Sequence, residues 1–340
     1  MFLNQNEHRD GQRRSTGQRT SRNHSERGQP TAVMTPAMAG LRVLALGMAP
    51  ALLVAFALVA GATGLPAAAR AGALATDWVA GHNVESRLIA GGAPVARDDG
   101  SRTGNAASGA ARLAGVEIAL SPGWKTYWRA PGDAGGVPPS FDWSGSQNLA
   151  RATVLYPAPQ RMVDRAGTTI GYKAGVVLPV IVDAADPAQP VVLKLEFAFG
   201  VCREICVPSE ASFQLEIPAA NATETPDALK AAMARVPGPP TPDTPALTKV
   251  DIQLSADTPK IVLHVRYPGG VDVADLFVDE PGGEYVPSPV KSATLDDNTI
   301  AYEIDLTMGA DVAALDGRTL TATMVSGKSQ SEQQFKFVSK

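Results

Sequence analysis

From Leu113 onward the chain alternates apolar and polar positions in short runs broken by Gly, Pro and Asp. VEIAL alternates apolar and polar residues, WKTYWR is aromatic and strand-like, and ATVLYP, GVVLPVIV, VVLKLEFAFG and ASFQLEI follow as short strands. The breaks between them, SPG and PGDAGGVPPS included, carry the residues that turns require. VESRLIA, ahead of a Gly/Ala/Arg/Asp-rich loop, fits an edge strand. A helical segment is expected only at TPDALKAAMARV, with Thr225 as N-cap and Pro226 in the first position. PGPPTPDTP then makes a stiff linker. After it KVDIQLS, KIVLHVRY, DLFVD, IAYEIDL, LTATMV and QFKFVS resume the strand pattern. Many short strands with turn signals predict an all-β protein of two antiparallel β-sandwiches. The first is expected over 76–220, the helix and Pro-rich linker over 221–246, and the second over 247–340.

Ahead of these strands the pattern changes twice. Residues 1–37 are polar, rich in Arg, Gln and Ser and without periodicity, and are expected to be disordered. From Val43 to Ala69 no residue is charged, Arg42 precedes the run, and small residues follow it. That order predicts a secretory signal over 38–75, with A-x-A patterns placing cleavage after Ala69, Ala71 or Ala75. Translation from Met38 would give a compact signal. The alternative is an uncleaved membrane anchor, since the run is long enough to span. Gly47, Pro50, Gly61 and Gly64 weaken such a helix, so export to the periplasm is the expectation.

Charge excludes one class of partner. Residues 1–75 hold eight Arg and three acids, leaving 22 basic and 31 acidic groups for the rest. An acidic body does not suit a phosphate backbone, so no nucleic-acid partner is expected. With 44% hydrophobic and 19% charged residues the chain can form a real core.

The chain has two cysteines, Cys202 and Cys206, in FAFGVCREICVPSEASFQLEI. Cysteines four apart can face one another across a three-residue hairpin loop or share a helical turn. Either puts the Cα atoms about 5.5–6 Å apart, within bridging range. A loop this short gives a bridge roughly 2 kcal/mol of chain-entropy stabilisation, against roughly 4.7 for a loop of about 100 residues. From the residues alone three readings stay open: a reversible redox pair, a structural bridge, and two thiolates for a soft ion such as Cu(I). His264, in KIVLHVRY, alternates with Ile261, Leu263 and Val265 and is expected to be a solvated strand residue. His82 lies near the mature N-terminus, and His8 and His24 precede the signal. Zinc would want four N or S ligands close together. No G-x-S-x-G, Walker A or H-E-x-x-H motif occurs.

Three segments carry a resemblance: VEIALSPGWKTYWRAPGDAGGVPPSFDWSGSQNLARATVLYPAP, IGYKAGVVLPV and FAFGVCREICVPSEASFQLEIP. Together they resemble the periplasmic N-terminal domain of the transmembrane thiol:disulfide interchange reductases, the DsbD family. The variant of the suppressor-of-copper-sensitivity branch is the most similar. The likeness covers about residues 80–220 and extends more loosely to the second β-domain. It implies an immunoglobulin-like sandwich with Cys202 and Cys206 as the redox pair near a strand end, and Cys206 as the sulfur that exchanges with partners. An aromatic loop shields the pair in that family, and the matching stretch here makes Tyr172 the candidate shield. Tyr127 and Trp128 match an aromatic strand lining the site. The implied partners are a thioredoxin-like or membrane thiol–disulfide reductase and oxidised periplasmic clients, with no small-molecule cofactor. The alternatives from other classes are a copper-binding or copper-tolerance module and a structural adaptor. The family's reductases continue into a membrane domain and a thioredoxin-like domain, so a stand-alone module working with a separate electron donor is expected. The three-residue spacing between the cysteines is shorter than in the best-studied branch, so loop geometry does not carry over.

Overall fold

The computed structural model describes residues 75–91, 111–165, 167–219, 224–255 and 258–339. The N-terminal extension and almost all of the expected signal sequence lie outside the described residues. The first part of the chain forms β1 (Val79–Gly81), β2 (Val84–Ala90), β3 (Arg112–Leu120), β4 (Lys125–Tyr127), β5 (Ser140–Asp142) and β6 (Leu149–Val154). These are followed by β7 (Gln160–Asp164), β8 (Gly167–Lys173), β9 (Gly175–Ala184), β10 (Val191–Cys202) and β11 (Cys206–Ile217). They make two sheets, ordered β1-β2-β3-β9-β6 and β11-β10-β4-β8-β7, with β5 pairing the middle of β10. All the pairings are antiparallel.

Alternation along β10 decides which side chains meet the other sheet. Val191, Leu193, Leu195, Phe197, Phe199 and Val201 all face inward and are buried. Ala211, Phe213, Leu215 and Ile217 of β11 do the same, opposite Ala114, Val116, Ile118 and Leu120 of β3. Phe197 and Phe199 stack at 4.5 Å. Each such aliphatic or aromatic side chain contributes about 1.5–3 kcal/mol by leaving water. The even-numbered positions of β10 therefore point out of the sandwich, Gly200 and Cys202 among them.

Helix α1 (Asp227–Met233) differs from the expectation at its start: Pro226, not Thr225, is the N-cap. The Pro226 carbonyl takes the Leu229 and Lys230 amides, at 3.0 Å each, so Asp227 is the first helical residue. The helix docks rather than merely connecting. Leu229 is fully buried against Ile89, Leu113 and Ile181, and a Cβ on Gly115 would fall 2.9 Å from Leu229 Cδ1.

The second sandwich contains β12 (Ala246–Gln253), β13 (Lys260–Arg266), β14 (Ala274–Asp279), β15 (Val290–Asp296), β16 (Thr299–Asp305), α2 (Val312–Leu315), β17 (Thr319–Ser326) and β18 (Ser329–Lys336). Its sheets run β12-β13-β16-β15 and β14-β17-β18. Ile261, Leu263 and Val265 are buried with Ile300, Tyr302 and Ile304, and His264 takes the other face of β13 as its alternation requires. The all-β, immunoglobulin-like class expected from the sequence is what forms. The surprises are β15, exposed along its whole length at a sheet edge, and α2, whose first turn is held by Asp311 accepting from the Ala314 amide.

Named contacts join the two sandwiches. Arg129 grips Asp279 with two hydrogen bonds of 2.9 Å, reaches Glu332 at 3.1 Å, and lies 4.2 Å over the Trp128 ring. Arg161 pairs with Asp275 and donates to the Leu276 carbonyl at 2.8 Å. Trp128 meets Phe277 at 5.9 Å between ring centres. Asp133 Oδ1 accepts both the Tyr285 hydroxyl and the Ser288 amide, each at 2.9 Å.

Candidate redox site

Strands β10 and β11 form one long hairpin whose last pair is Cys202 opposite Cys206, with Arg203-Glu204-Ile205 as the loop. The two sulfurs are bonded and the Cα atoms are 4.1 Å apart. Of the two geometries open from the spacing, the hairpin is therefore the one that forms. The separation is nearer the ~4.5 Å of a narrow cross-strand pair than the ~5.5 Å of a wide one. Pro208 lies within β11. It is tolerated there because β11 ends its sheet.

The two cysteines differ in access. Cys202 is 6% exposed, whereas Cys206 is open to solvent, beside an Ile205 side chain that is 75% exposed. Arg203 leans back over the 121–124 turn, its Nε 3.6 Å from where a Gly123 Cβ would be. Next to that turn, His82 packs edge-on against Trp124 at 5.2 Å.

Register explains what surrounds the pair. Cys202 lies opposite Lys125, and Val201 opposite Thr126. Side chains directly opposite in a sheet share a face. Lys125 and Tyr127 therefore stand on the outer face with the cysteines. The Tyr127 hydroxyl lies 2.9 Å from Cys206 Sγ, and since a bonded sulfur carries no proton, the hydroxyl is the donor. Burial first, and then the negative field of Asp164, pushes Tyr127 above the usual phenol range, so it keeps that proton. Lys125 is buried beside it and is held by Asp164 at 2.8 Å and Thr169 at 3.1 Å.

Tyr127 is 2% exposed although it projects from the outside of a sheet. The cover is the 129–139 loop. A Cβ on Gly200 would fall 2.9 Å from the ring and 3.0 Å from Val137 Cβ, and one on Gly136 would strike the ring itself. The loop is tied down by three backbone bonds: Gly200 to the Val137 carbonyl, Ala134 to Thr168 and Ile170 to Pro131.

The expected shield sits elsewhere. Tyr172 lies opposite Thr126, one residue out of phase with Tyr127, and so faces the interior. It belongs to the first core and its hydroxyl donates to the Pro157 carbonyl at 2.8 Å. Full burial pushes its pKa far up. Trp128, also one residue out of phase with Tyr127, is in the same core at the joint with Phe277. Of the three aromatic residues singled out in the sequence, the structure brings Tyr127 to the pair and leaves Tyr172 and Trp128 in the core. Lys125 and the Gly136–Val137 segment of the loop were not foreseen. The WKTYWR alternation holds the signal for Lys125, which shares a face with Tyr127. Among the described residues, no group of three or more His, Cys, Asp or Glu is placed to hold a metal ion.

Comparisons with known proteins bear on the family and the fold. Residues 99–218 match the family described as thiol:disulfide interchange protein DsbD, N-terminal. No curated protein sequence matches the chain. Among solved structures, the N-terminal periplasmic domain of ScsB from Proteus mirabilis superposes with a TM-score of 0.58 at 19% identity. That match covers 79% of this chain and 100% of that one, and at this identity it speaks for the fold. Over residues 99–218, then, the chain is similar to the DsbD N-terminal domain, and the bonded pair Cys202–Cys206 lies within that stretch, at the tip of its longest hairpin.

Proposed function

We propose that the chain is an exported thiol–disulfide exchange module in which Cys206 meets partners and Cys202 resolves the mixed disulfide. The observation that supports this reading is the unequal exposure of the two bonded cysteines: Cys206 is exposed and Cys202 is buried, which favours Cys206 as the one an incoming thiolate meets. In the reduced module the Cys206 thiolate attacks one sulfur of a client disulfide. A mixed disulfide forms and one client thiolate leaves. The Cys202 thiolate then attacks Cys206 Sγ, restoring the internal bond and releasing the second client sulfur. Two electrons pass to the client, whose new thiols take up the protons that the two cysteines gave up. A thioredoxin-like or membrane-bound dithiol reloads the module by attacking Cys206 and expelling Cys202. Tyr127 assists wherever Cys206 carries charge, because a hydroxyl hydrogen bond to a thiolate is charge-assisted. No cofactor takes part.

Trapping tests the roles. Cys202→Ser, mixed with an oxidised thioredoxin-like protein, should accumulate a covalent complex on a non-reducing gel, and Cys206→Ser should accumulate little. Equal trapping, or trapping by Cys206→Ser alone, reverses the assignment. Absence of any trapped species, together with tight Cu(I) binding by the wild type, would replace exchange by a copper-handling role for the same two thiolates.

A further inference from the structure

The 129–139 loop touches both halves of the molecule. Its inner side lies on the Tyr127 ring through Gly136 and on Gly200 through Val137. Its outer side is held by the second sandwich at two points. Arg129 is fixed by Asp279 and Glu332, and Asp133 accepts from the Tyr285 hydroxyl and the Ser288 amide. The Asp133 carboxylate is one reason, after burial, that the Tyr285 phenol is pushed up to about 12. We propose that the second sandwich is a working part of the redox site: through Arg129 and Asp133 it seats the loop, and the loop holds Tyr127 in hydrogen-bonding position on Cys206. Asp133 is thus a positioning residue for a sulfur on the far side of the loop. This deepens the exchange reading and rests on it.

The physical argument is one of freedom. Tyr127 projects from the outer face of its sheet, where no core holds it. The loop covers it through Gly136 and Val137, and a phenol free to rotate would spend less of its time on the sulfur. A hydrogen bond to an ionised group is worth more than one to a neutral group. The same contact therefore favours the Cys206 thiolate over the thiol. Other charges near that sulfur are Lys125 from β4, Lys173 from β8, Asp164 from β7, and Arg203 and Glu204 from the hairpin loop. The Asp133 variants leave all of them in place.

The readout is the pH profile of Cys206 alkylation by iodoacetamide, in the full chain carrying Cys202→Ser so that one thiol is followed. Tyr127→Phe should move the midpoint up by about one unit, the size expected for loss of one charge-assisted hydrogen bond. Asp133→Ala should move it in the same direction by less. Asp133→Asn, whose amide oxygen can still accept both donors, should return it to the parent value. Tyr285→Phe removes one of the two donors and gives an independent shift of the same sign should Asp133→Ala fold poorly. If Tyr127→Phe shifts the midpoint while Asp133→Ala and Tyr285→Phe do not, the second sandwich has no hold on the site. If Tyr127→Phe itself leaves the midpoint in place, the hydrogen bond carries no weight and the proposal falls with it. A failure of the exchange reading looks different: the shifts appear as described, but the Cys202→Ser chain traps no mixed disulfide with an oxidised thioredoxin-like protein.

Discussion

Arg129→Ala should lower the stability of the full chain by about 3–5 kcal/mol, the range found when one partner of a buried ion pair is removed. Asp279 is 6% exposed and has its carboxylate met by both arms of the guanidinium. Burial works against the charge on Arg129, and the hydrogen bonds and fields of Asp279 and Glu332 overturn that penalty, leaving the guanidinium firmly charged. Alanine leaves Asp279 without its cation and also strips the stacking layer from Trp128. Urea unfolding followed by Trp fluorescence would measure the loss, with a separate second transition if the sandwiches uncouple. A companion variant sharpens the result. Arg129→Met together with Asp279→Leu removes both charges, and should recover much of the stability because apolar replacement of a buried pair is often close to neutral. A loss below about 1 kcal/mol in Arg129→Ala would rank this contact with ordinary surface ion pairs.

Gly171→Ala should also be costly, and it should disturb the redox pair without touching it. Gly171 lies opposite Tyr127 in the β4–β8 pairing and opposite Gln160 in β7, so strands flank it on both sides. A Cβ there would run into the Thr126 carbonyl and come within 3.0 Å of Tyr127 Cα. Both obstacles are backbone, so no side chain can rotate away. The strands must part instead, and overpacking of this kind costs about 1–3 kcal/mol or more. Parting them moves Tyr127 relative to Cys206. Calorimetry should show a lower melting temperature, and the alkylation profile of Cys206 should move in the same direction as in Tyr127→Phe. An Ala variant with wild-type stability would mean that the two strands separate at no cost.

What the sequence revealed and what it concealed follow from how far each signal reaches. The alternation in VVLKLEFAFG and ASFQLEI is local, and it marked the two strands that flank the cysteines, while the hairpin between them was one of two geometries that the spacing allowed. The choice between Tyr127 and Tyr172 was not local. Each sits in a strand of aromatic and polar residues, and which one shares a face with the cysteines depends on the register between β4, β8 and β10. A shift of one residue exchanges the faces, and neither WKTYWR nor IGYK encodes that register by itself. The β7–β8 hairpin was also missed, because QRMVD and GTTIGYK show weak alternation. β15 has no apolar face to betray it. The clamp of Arg129 and Asp133 lay furthest out of reach, since its partners are about 150 residues away in sequence and no periodicity marks an ion pair.

The unequal exposure of the two sulfurs has a consequence for damage by peroxide. The open sulfur of the reduced module is the one a peroxide molecule would meet first, and its first product is a sulfenic acid. Left alone, that acid can go on to sulfinic and sulfonic forms that are not recovered. Here the neighbouring thiol stands directly across the hairpin, with its Cα 4.1 Å away. It can condense with the sulfenic acid, releasing water and closing the disulfide before a second oxidant arrives. On the proposed exchange reading, the product of accidental oxidation is then the ordinary oxidised state, open to reduction by the same dithiol donor. A hairpin that sets a buried cysteine across from an exposed one thus gives the exposed cysteine a way back from its first oxidation product.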